Sequence, residues 1–330
     1  MIKTTVVIPN LNGSEYISNC LKSVFNSDTE VAVTVVDNGS SDGSVETVMK
    51  DFPQVNLIRL DENTGFCHAT NLGIASSETE YVMFLNNDTV VNKDSIGILE
   101  SFLDANPKAF SAQALMAQLK DSAKVDSAGD FYCALGWAFG RGKDKPVTKY
   151  RPVCGDVAGP CKAGKVFSGC GGACLYRKSV LDETGFLDEN HFAYLEDVDL
   201  GYRALLAGYD NYVCYDSVIL HAGSGFSGSR HNEFKVNLSA QNSIYLIYKN
   251  QPVLQVLINL PFLILGYAIK LLFFILKGLG KPYLQGIAAG IKLSFSDSGK
   301  PHRVKFVFNR LKSYIKVQFL LWINIFRRMF

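Results

Sequence analysis

The first 90 residues alternate between short apolar runs and segments with helical spacing. Thr5–Ile8 is a β-branched run that ends at Pro9. From Ser14 to Phe25, the residues Tyr16, Ile17, Leu21, Val24 and Phe25 recur on one side of a helix, with Ser14 placed to cap it. Val31–Val36 reads as a second strand, Ser44–Met49 as a short helix stopped before Pro53, and Val55–Leu60 as a third strand. Cys67–Ala75 reads as a helix and Tyr81–Leu85 as a fourth strand. Apolar strands separated by helices predict βαβ units and a parallel sheet, hence an α/β fold.

Residues 110–165 show no clear period and predict strands and loops. S-G-C-G-G-A-C-L-Y-R (168–177) predicts a glycine turn entering a strand. L-E-D-V-D-L-G-Y-R-A-L-L-A-G-Y (195–209) predicts a helix that packs through Val198, Leu200, Gly201, Leu205 and Leu206. Glu196 and Asp197 fall at its N-terminus, where the helix dipole favours negative charge.

The pattern changes near residue 250. Residues 250–269 carry no charge, and twenty apolar residues match a hydrocarbon core of ~30 Å. Asn259, Pro261 and Gly266 interrupt the run, and Lys270 follows. Further on, Val304, Phe308, Leu311, Ile315, Phe319, Trp322 and Phe326 recur every three or four residues, while Arg310, Lys312 and Lys316 lie off that stripe. This is the pattern of a basic amphipathic helix on an anionic membrane surface.

Charge sharpens the division. The net charge is +2, yet residues 251–330 hold 12 Lys and Arg against one acid, Asp297. The first 250 residues hold 21 Lys and Arg against 30 acids. By the positive-inside rule the basic segment stays cytoplasmic. The N-terminus has no apolar leader to export the preceding body. A single span would separate the two, so in-plane helices or a re-entrant hairpin fit better. The expected organisation is a domain over 1–249 and a basic, apolar, membrane-associating helical region over 250–330. With 48% hydrophobic and 19% charged residues, the chain is neither disordered nor a polyelectrolyte. Nucleic acid is not an expected partner.

Each N-terminal strand ends in a polar turn: P-N-L-N-G, D-N-G-S-S-D-G-S, D-E-N-T-G-F and N-N-D-T. Ligands of open α/β sheets bind at the carboxyl ends of the strands. One such turn alone reads as Asp and Asn capping; four converging on one edge read as a site. No G-x-G-x-x-G follows the first strand, and no G-x-x-x-x-G-K-[ST] occurs, so neither a dinucleotide fold nor a P-loop is indicated. Asp37 and Asp88 sit at strand ends where a hard divalent cation shared with a diphosphate needs only one or two carboxylates. His221 follows an apolar run and precedes a Gly/Ser loop. Cys154, Cys161, Cys170 and Cys174 lack the paired spacing of a zinc site and read as buried or loop thiols.

As a set, V-V-I-P-N-L-N-G, V-V-D-N-G-S-S-D-G-S, N-T-G-F-C-H-A-T-N-L-G-I, L-N-N-D-T and E-D-V-D-L-G-Y-R resemble family 2 glycosyltransferases over about residues 4–225. Those are inverting, nucleotide-sugar-dependent enzymes with the GT-A fold, a Rossmann-like, mostly parallel sheet flanked by helices. The nearest subgroup is the rhamnosyltransferase-like enzymes of bacterial cell-surface polysaccharide assembly. The resemblance implies that Pro9, Asn10 and Asn12 line the nucleotide, and that Asp37 meets a pyrimidine base with Asn38 and Ser40 beside it. It implies that Asn63, Gly65 and Asn71 approach the ribose and diphosphate, with Asn87 also at the donor. Asp88 matches the last acid of a D-x-D-type motif and would bind Mg²⁺ or Mn²⁺, joined by His221. Here the earlier positions are Asn86 and Asn87, which lowers the charge of that site. Asp197 matches the catalytic base, with Glu196 beside it. The implied reaction moves a sugar, L-rhamnose from its dTDP donor being one candidate, to a glycan or lipid-linked glycan at the cytoplasmic face of a bacterial membrane. The rivals are a sugar nucleotidyltransferase, which expects a different glycine loop after the first strand, and a non-catalytic membrane scaffold of the same fold.

Overall fold

The computed structural model describes residues 2–150, 161–223 and 231–329. It opens with β1 (Thr4–Asn10), α1 (Ile17–Phe25), β2 (Ala32–Asn38), α2 (Ser44–Asp51), β3 (Asn56–Leu60), α3 (Phe66–Ala75) and β4 (Tyr81–Leu85). Next come β5 (Thr89–Val91), α4 (Ser95–Ala105), β6 (Ala109–Gln118), β7 (Asp121–Ser127), β8 (Asp130–Cys133) and β9 (Trp137–Gly140). β10 (Ala163–Val166), β11 (Ala173–Arg177), α5 (Lys178–Thr184), α6 (Glu196–Ala207) and β12 (Asp210–His221) complete the sheet region. Four long helices end the chain: α7 (Glu233–Asn250), α8 (Val253–Leu276), α9 (Gly280–Ser294) and α10 (Leu311–Met329).

The main sheet runs β10-β12-β6-β11-β4-β1-β2-β3, with β5 beside β12 and β7 beside β6. β3, β2, β1 and β4 are mutually parallel, as the alternating pattern predicts. Beyond β4 the sheet is mixed. β11 pairs antiparallel with both β4 and β6, because it enters through the glycine turn at 169–172 rather than through a crossover helix. β8 and β9 form a separate hairpin.

β1, β2 and β4 are buried on both faces, so their sequences are mostly apolar runs rather than alternating ones, whereas β3 lies at the sheet edge and is partly exposed. Ile8, Val35, Met83, Leu99, Phe102 and Leu175 belong to one core. Val7, Phe84, Phe110, Tyr176 and Leu200 belong to another.

Ser14 does not cap α1. The helix starts at Ile17, Tyr16 is its cap residue without a side-chain bond, and the Ser14 N–H donates to Asp42 instead. The carboxylate of the loop ahead of α2 holds this segment in the strand-end turn.

Residues 250–330 pack back on the preceding chain. Tyr314, Val317 and Leu321 of α10 share a core with Tyr202, Leu205 and Leu206 of α6. A Cβ at Gly266 in α8 would stand 2.1 Å from the Leu135 carbonyl oxygen, so glycine permits that helix to touch the β8–β9 turn. Asn259 of α8 exchanges amide hydrogen bonds with Gln318 of α10 and accepts from the Trp322 indole. The segment is thus three packed helices, and the helical stripe begins at Leu311, with Val304 and Phe308 ahead of it.

Candidate functional site

The strand-end loops are locked together by amides. Asn10 donates to Asp37 at 2.9 Å, to Ser44 at 2.9 Å and to Ser40 at 3.2 Å, and accepts from Asn87 at 2.8 Å. Asp37 also takes the Ser40 N–H at 3.0 Å. Each Asp37 oxygen thus has one internal donor, which leaves each a further acceptor site for a ligand N–H. Pro9 precedes Asn10 in β1, and the Asn12 backbone is left-handed with φ 48°. Asn12 donates its N–H to Ser40 and accepts from Ser41. These turns need Asn because its short amide tolerates that backbone while bridging neighbouring loops.

Asn38 organises the next loop. Its amide donates to Asn63 and to the Gly65 carbonyl, and its oxygen accepts from Thr64. Gly65 has φ +92°, and a Cβ there would stand 2.6 Å from the Phe192 ring, so this position requires glycine. Asn71 differs in role. Its amide donates to Leu187 and Glu189 and accepts from the Leu187 N–H, which makes it a clamp between α3 and the 187–189 segment.

Asp88 and His221 meet at the ends of neighbouring segments, with Asp88 Oδ1 3.1 Å from His221 Nε2. On the other side of the ring, Nδ1 lies 2.8 Å from Asp126 in β7. Asp126 in turn pairs with Lys143. Burial opposes a charged imidazole, but Asp126 and Asp88 outweigh it and raise the His221 pKa to about 9. Burial works against the Asp126 carboxylate as well, yet His221 and Lys143 hold it below its usual range. The imidazole bridges the two carboxylates as an ion pair; a divalent cation at Asp88 would take the place of the Nε2 proton, with Asp126 still holding Nδ1. The residues present therefore fit a metal ion, with Asp88 and His221 as holders and Asp126 orienting the ring.

The second centre lies across the glycine loop 169–172. On one side of that loop, the Gly172 carbonyl accepts the N–H of Asn86, two residues before Asp88. On the other, the Gly171 N–H reaches Asp197 Oδ2 at 3.3 Å. Asp197 Oδ1 accepts the Val198 N–H at 2.7 Å. Asp130 of β8 and Cys170 complete a group whose ligating atoms lie within 4.8 Å of one another. Burial raises the Asp197 pKa, and the two backbone amides and Asp130 oppose that rise. Burial and the Asp197 charge push Asp130 well above the carboxylate range. Burial and both nearby carboxylates also raise Cys170, which disfavours the thiolate a soft metal would need. The raised carboxyl groups of Asp130 and Asp197, side by side, are suited to accepting and passing on a proton.

Glu196 is buried, and its Oε2 has no hydrogen-bond partner. Burial and the Asp197 charge push its pKa up to about 8. Both acids are aimed by an unusual turn, in which Phe192, Tyr194 and Leu195 have φ of 58°, 69° and 68°. Asn242 of α7 steadies it, donating to the carbonyls of His191, Ala193 and Tyr194 at 2.8, 2.9 and 2.8 Å. Left-handed non-glycine residues in series are strained and persist where surrounding structure holds them. Asp199, two residues beyond Asp197, is structural. It pairs with Arg203 and Lys249 at 2.9 Å and anchors α6 to α7. A Cβ at Gly201 would stand 2.9 Å from the Phe167 carbonyl oxygen, so glycine lets α6 approach the segment that carries the turn.

Asp126, Asp130 and Asn242 escape the sequence reading, because nothing in their local pattern sets them apart from surface polar residues. The cysteines do not gather into one site. Cys161 hydrogen-bonds Cys214, Cys174 is buried in β11, and Cys154 lies outside the described residues.

The fold is thus of the α/β class, with amide-bridged acidic loops at the ends of its parallel strands and a buried carboxylate on α6 reached through the 169–172 loop. Residues 5–185, more than half of the chain, match the Glycosyl transferase family 2 pattern. The chain belongs to glycosyl transferase family 2. The N-acetylglucosaminyl-diphospho-decaprenol L-rhamnosyltransferase of Mycobacterium tuberculosis is 27% identical over 219 residues, which cover 58% of this chain and 66% of that protein. The poly(ribitol-phosphate) beta-N-acetylglucosaminyltransferase TarS of Staphylococcus aureus is 32% identical over 110 residues, covering 32% of this chain and 19% of that protein. The chain thus covers less than two thirds of either relative. Among solved structures, GalNAc-T7 with UDP, GalNAc and Mn²⁺ superposes with a TM-score of 0.59 at 13% identity, over 76% of this chain and 48% of that one. That likeness shows a shared GT-A fold.

Proposed function

We propose that this chain is an inverting glycosyltransferase that moves a sugar from a nucleoside diphosphate donor to a lipid-linked glycan at the cytoplasmic face of a bacterial membrane. The observation that carries the reading is that the 169–172 loop links the two centres: the Gly172 carbonyl accepts the N–H of Asn86, two residues before Asp88 of the Asp88–His221 pair, and the Gly171 N–H reaches Asp197. Inversion needs a base on the face of the sugar opposite the leaving diphosphate.

Asp197 accepts the proton of the acceptor hydroxyl as its oxygen bonds to the anomeric carbon. The bond from that carbon to the donor phosphate oxygen breaks, and the nucleoside diphosphate leaves with the electron pair. Asp130, as proton holder, keeps the Asp197 carboxylate charged in its buried setting, and the Gly171 and Val198 amides fix its direction. Asp88 and His221 would hold Mg²⁺ or Mn²⁺, which when bound supplies neutralisation of charge developing on the leaving diphosphate. Mn²⁺ in the structural neighbour supports a divalent ion without choosing between the two.

Asp37 is the group for the N–H of a pyrimidine base, with Asn38 and Ser40 shaping its loop. Pro9, Asn10, Asn12, Asn63, Gly65 and Asn87 form the remaining donor wall, and Asn71 secures it from behind. L-rhamnose from a dTDP donor is the candidate sugar, supported by the mycobacterial relative's specificity.

Residues 1–249 would form the catalytic domain and 250–330 its membrane-docking part. α8 is long and apolar enough to cross a membrane. It leaves Leu254 69%, Ile264 62% and Leu276 79% exposed, while α10 turns Phe319 and Phe326 outward. An in-plane arrangement satisfies these faces and the basic charge together.

A donor screen tests the proposal. The full chain, with Mg²⁺ or Mn²⁺, is given UDP-, dTDP- and GDP-sugars with lipid extract, and nucleoside diphosphate release is followed. Metal-dependent release from one donor is expected; no release from any donor would refute the reading.

A further inference from the structure

A cleft of about 990 Å³ opens between the β8–β9 hairpin, α8 and α10. Six cations line it: Arg141, Lys143, Lys145, Lys270, Arg327 and Arg328. No carboxylate lines it among the described residues, although Asp126 reaches Lys143 from the metal side. Several of these cations rest on aromatic faces. Arg327 stacks over Phe131 at 5.3 Å, Arg328 over Phe139 at 5.7 Å, Arg141 over Tyr150 at 4.5 Å and Lys270 over Trp137 at 5.8 Å. Such stacking steadies a cation while leaving N–H groups at its edge for an anion.

The location matters as much as the charge. Lys270 is the one charged residue between Val253 and Leu276, and it faces this cleft. A lone cation in an apolar helix marks a polar function. Phe326 belongs both to the cleft wall and to the outward apolar stripe of α10, so the basic cavity runs continuously onto the surface proposed to meet lipid. Phe131 of the cleft wall and Asp130, the partner of Asp197, are consecutive in β8, so this one strand carries both the cleft wall and a member of the acidic group.

We propose that this cleft binds the diphosphate of a polyprenyl-diphosphate-linked acceptor, with the polyprenyl chain along α8 and α10 and the glycan directed toward Asp197. The proposal rests on the reading of this chain as a transferase to a lipid-linked acceptor and assigns the residues that would select it. A diphosphate brings several negative charges to one point, which six clustered cations match better than a single lipid phosphate does. Because the cleft is walled by both apolar helices, α8 and α10, and by the strand β8 that also carries Asp130, the same contact would set the distance between bilayer and reacting hydroxyl.

The test uses the full chain and phosphatidylcholine vesicles doped with a polyprenyl diphosphate. Controls are vesicles doped with phosphatidylglycerol to equal charge, and inorganic pyrophosphate as a soluble competitor. The unmodified protein should bind the polyprenyl diphosphate vesicles at least about tenfold more tightly than the phosphatidylglycerol ones. The double substitution Lys145→Glu with Arg328→Glu, at two exposed positions, should abolish that preference. Binding of the double variant to plain phosphatidylcholine vesicles should stay unchanged, as should its donor binding by calorimetry. Pyrophosphate in excess should compete for the cleft; equal binding to both anionic vesicles, an unaffected double variant, or no competition by pyrophosphate even in large excess would each overturn the proposal. Donor binding and nucleoside diphosphate release are read separately, so loss of the cleft proposal with donor turnover intact is distinct from failure of the transferase reading.

Discussion

Asp126 takes the Nδ1 side of the His221 ring at 2.8 Å, and this turns Nε2 toward Asp88 at 3.1 Å. The site has Asn86 and Asn87 where related motifs place acids, so its charge must come from elsewhere. In the metal site proposed above, Asp126 would fix the imidazole as a ligand, and Lys143 pairs with Asp126 behind it.

Asp126→Ala should therefore weaken apparent Mn²⁺ affinity about 10- to 100-fold. Turnover at saturating metal should fall much less. Metal titrations of nucleoside diphosphate release separate the two. An unchanged metal requirement would remove Asp126 from this role.

Asn242 ties three carbonyls of the left-handed turn that aims Glu196 and Asp197. Asn242→Ala leaves those carbonyls without their donor and should cost about 1–3 kcal/mol of stability. It should also lower kcat more than it raises donor KM, because the acid and not the donor wall is displaced. Thermal unfolding and steady-state kinetics on one preparation would show both effects.

Asp130 and Asp197 share the base-side pocket. Asp130→Ala removes the proton donor that supports the Asp197 carboxylate, so the acidic limb of the pH–rate profile should move to higher pH. Asp130→Asn keeps a donor and should leave the limb near its original place. Identical profiles for the two variants would contradict this role.

Glu196 has a folded pKa of about 8, raised from an ordinary 4.5 by burial and by Asp197. A raised folded pKa gives stability that is fully present below the unfolded pKa and lost as pH rises through the folded one. Relative to Glu196→Gln, the unsubstituted protein should lose stability between about pH 4.5 and about pH 8, then level off. Unfolding midpoints of both proteins across that window check the sign.

The outward stripe of α10 is testable apart from catalysis. Ile315 and Phe319 are 49% and 56% exposed and far from the acids in sequence. Replacing both by Glu removes about 3–5 kcal/mol of available apolar burial and should weaken phosphatidylcholine vesicle binding more than tenfold. Nucleoside diphosphate release with a soluble acceptor should persist.

The parallel half of the fold is legible because buried strands such as Val6–Ile8 and Val33–Val36 are β-branched runs, and each ends in a turn-forming cluster. The donor wall follows from the same turns, since strand ends fix where Asp37 and Asp88 lie. The mixed half is not legible. β11 joins β4 through a glycine turn, and β6 pairs with β12 across about a hundred residues, so no local period announces either. Asp126, Asp130 and Asn242 act only through partners brought near by that long-range pairing. The tail shows its outward stripe in the sequence, but its inward face of Tyr314, Val317 and Leu321 is too short a pattern to reveal its docking on α6.

The most direct test of the account is Asp197→Asn, assayed for sugar transfer and for donor binding on the same protein. The account predicts that transfer falls by at least about a thousandfold, the order of removing a positioned general base, while donor affinity measured by calorimetry stays within a factor of two or so of the unsubstituted value. Near-normal transfer by Asp197→Asn would contradict the central claim and return the search for the base to Glu196 and Asp130.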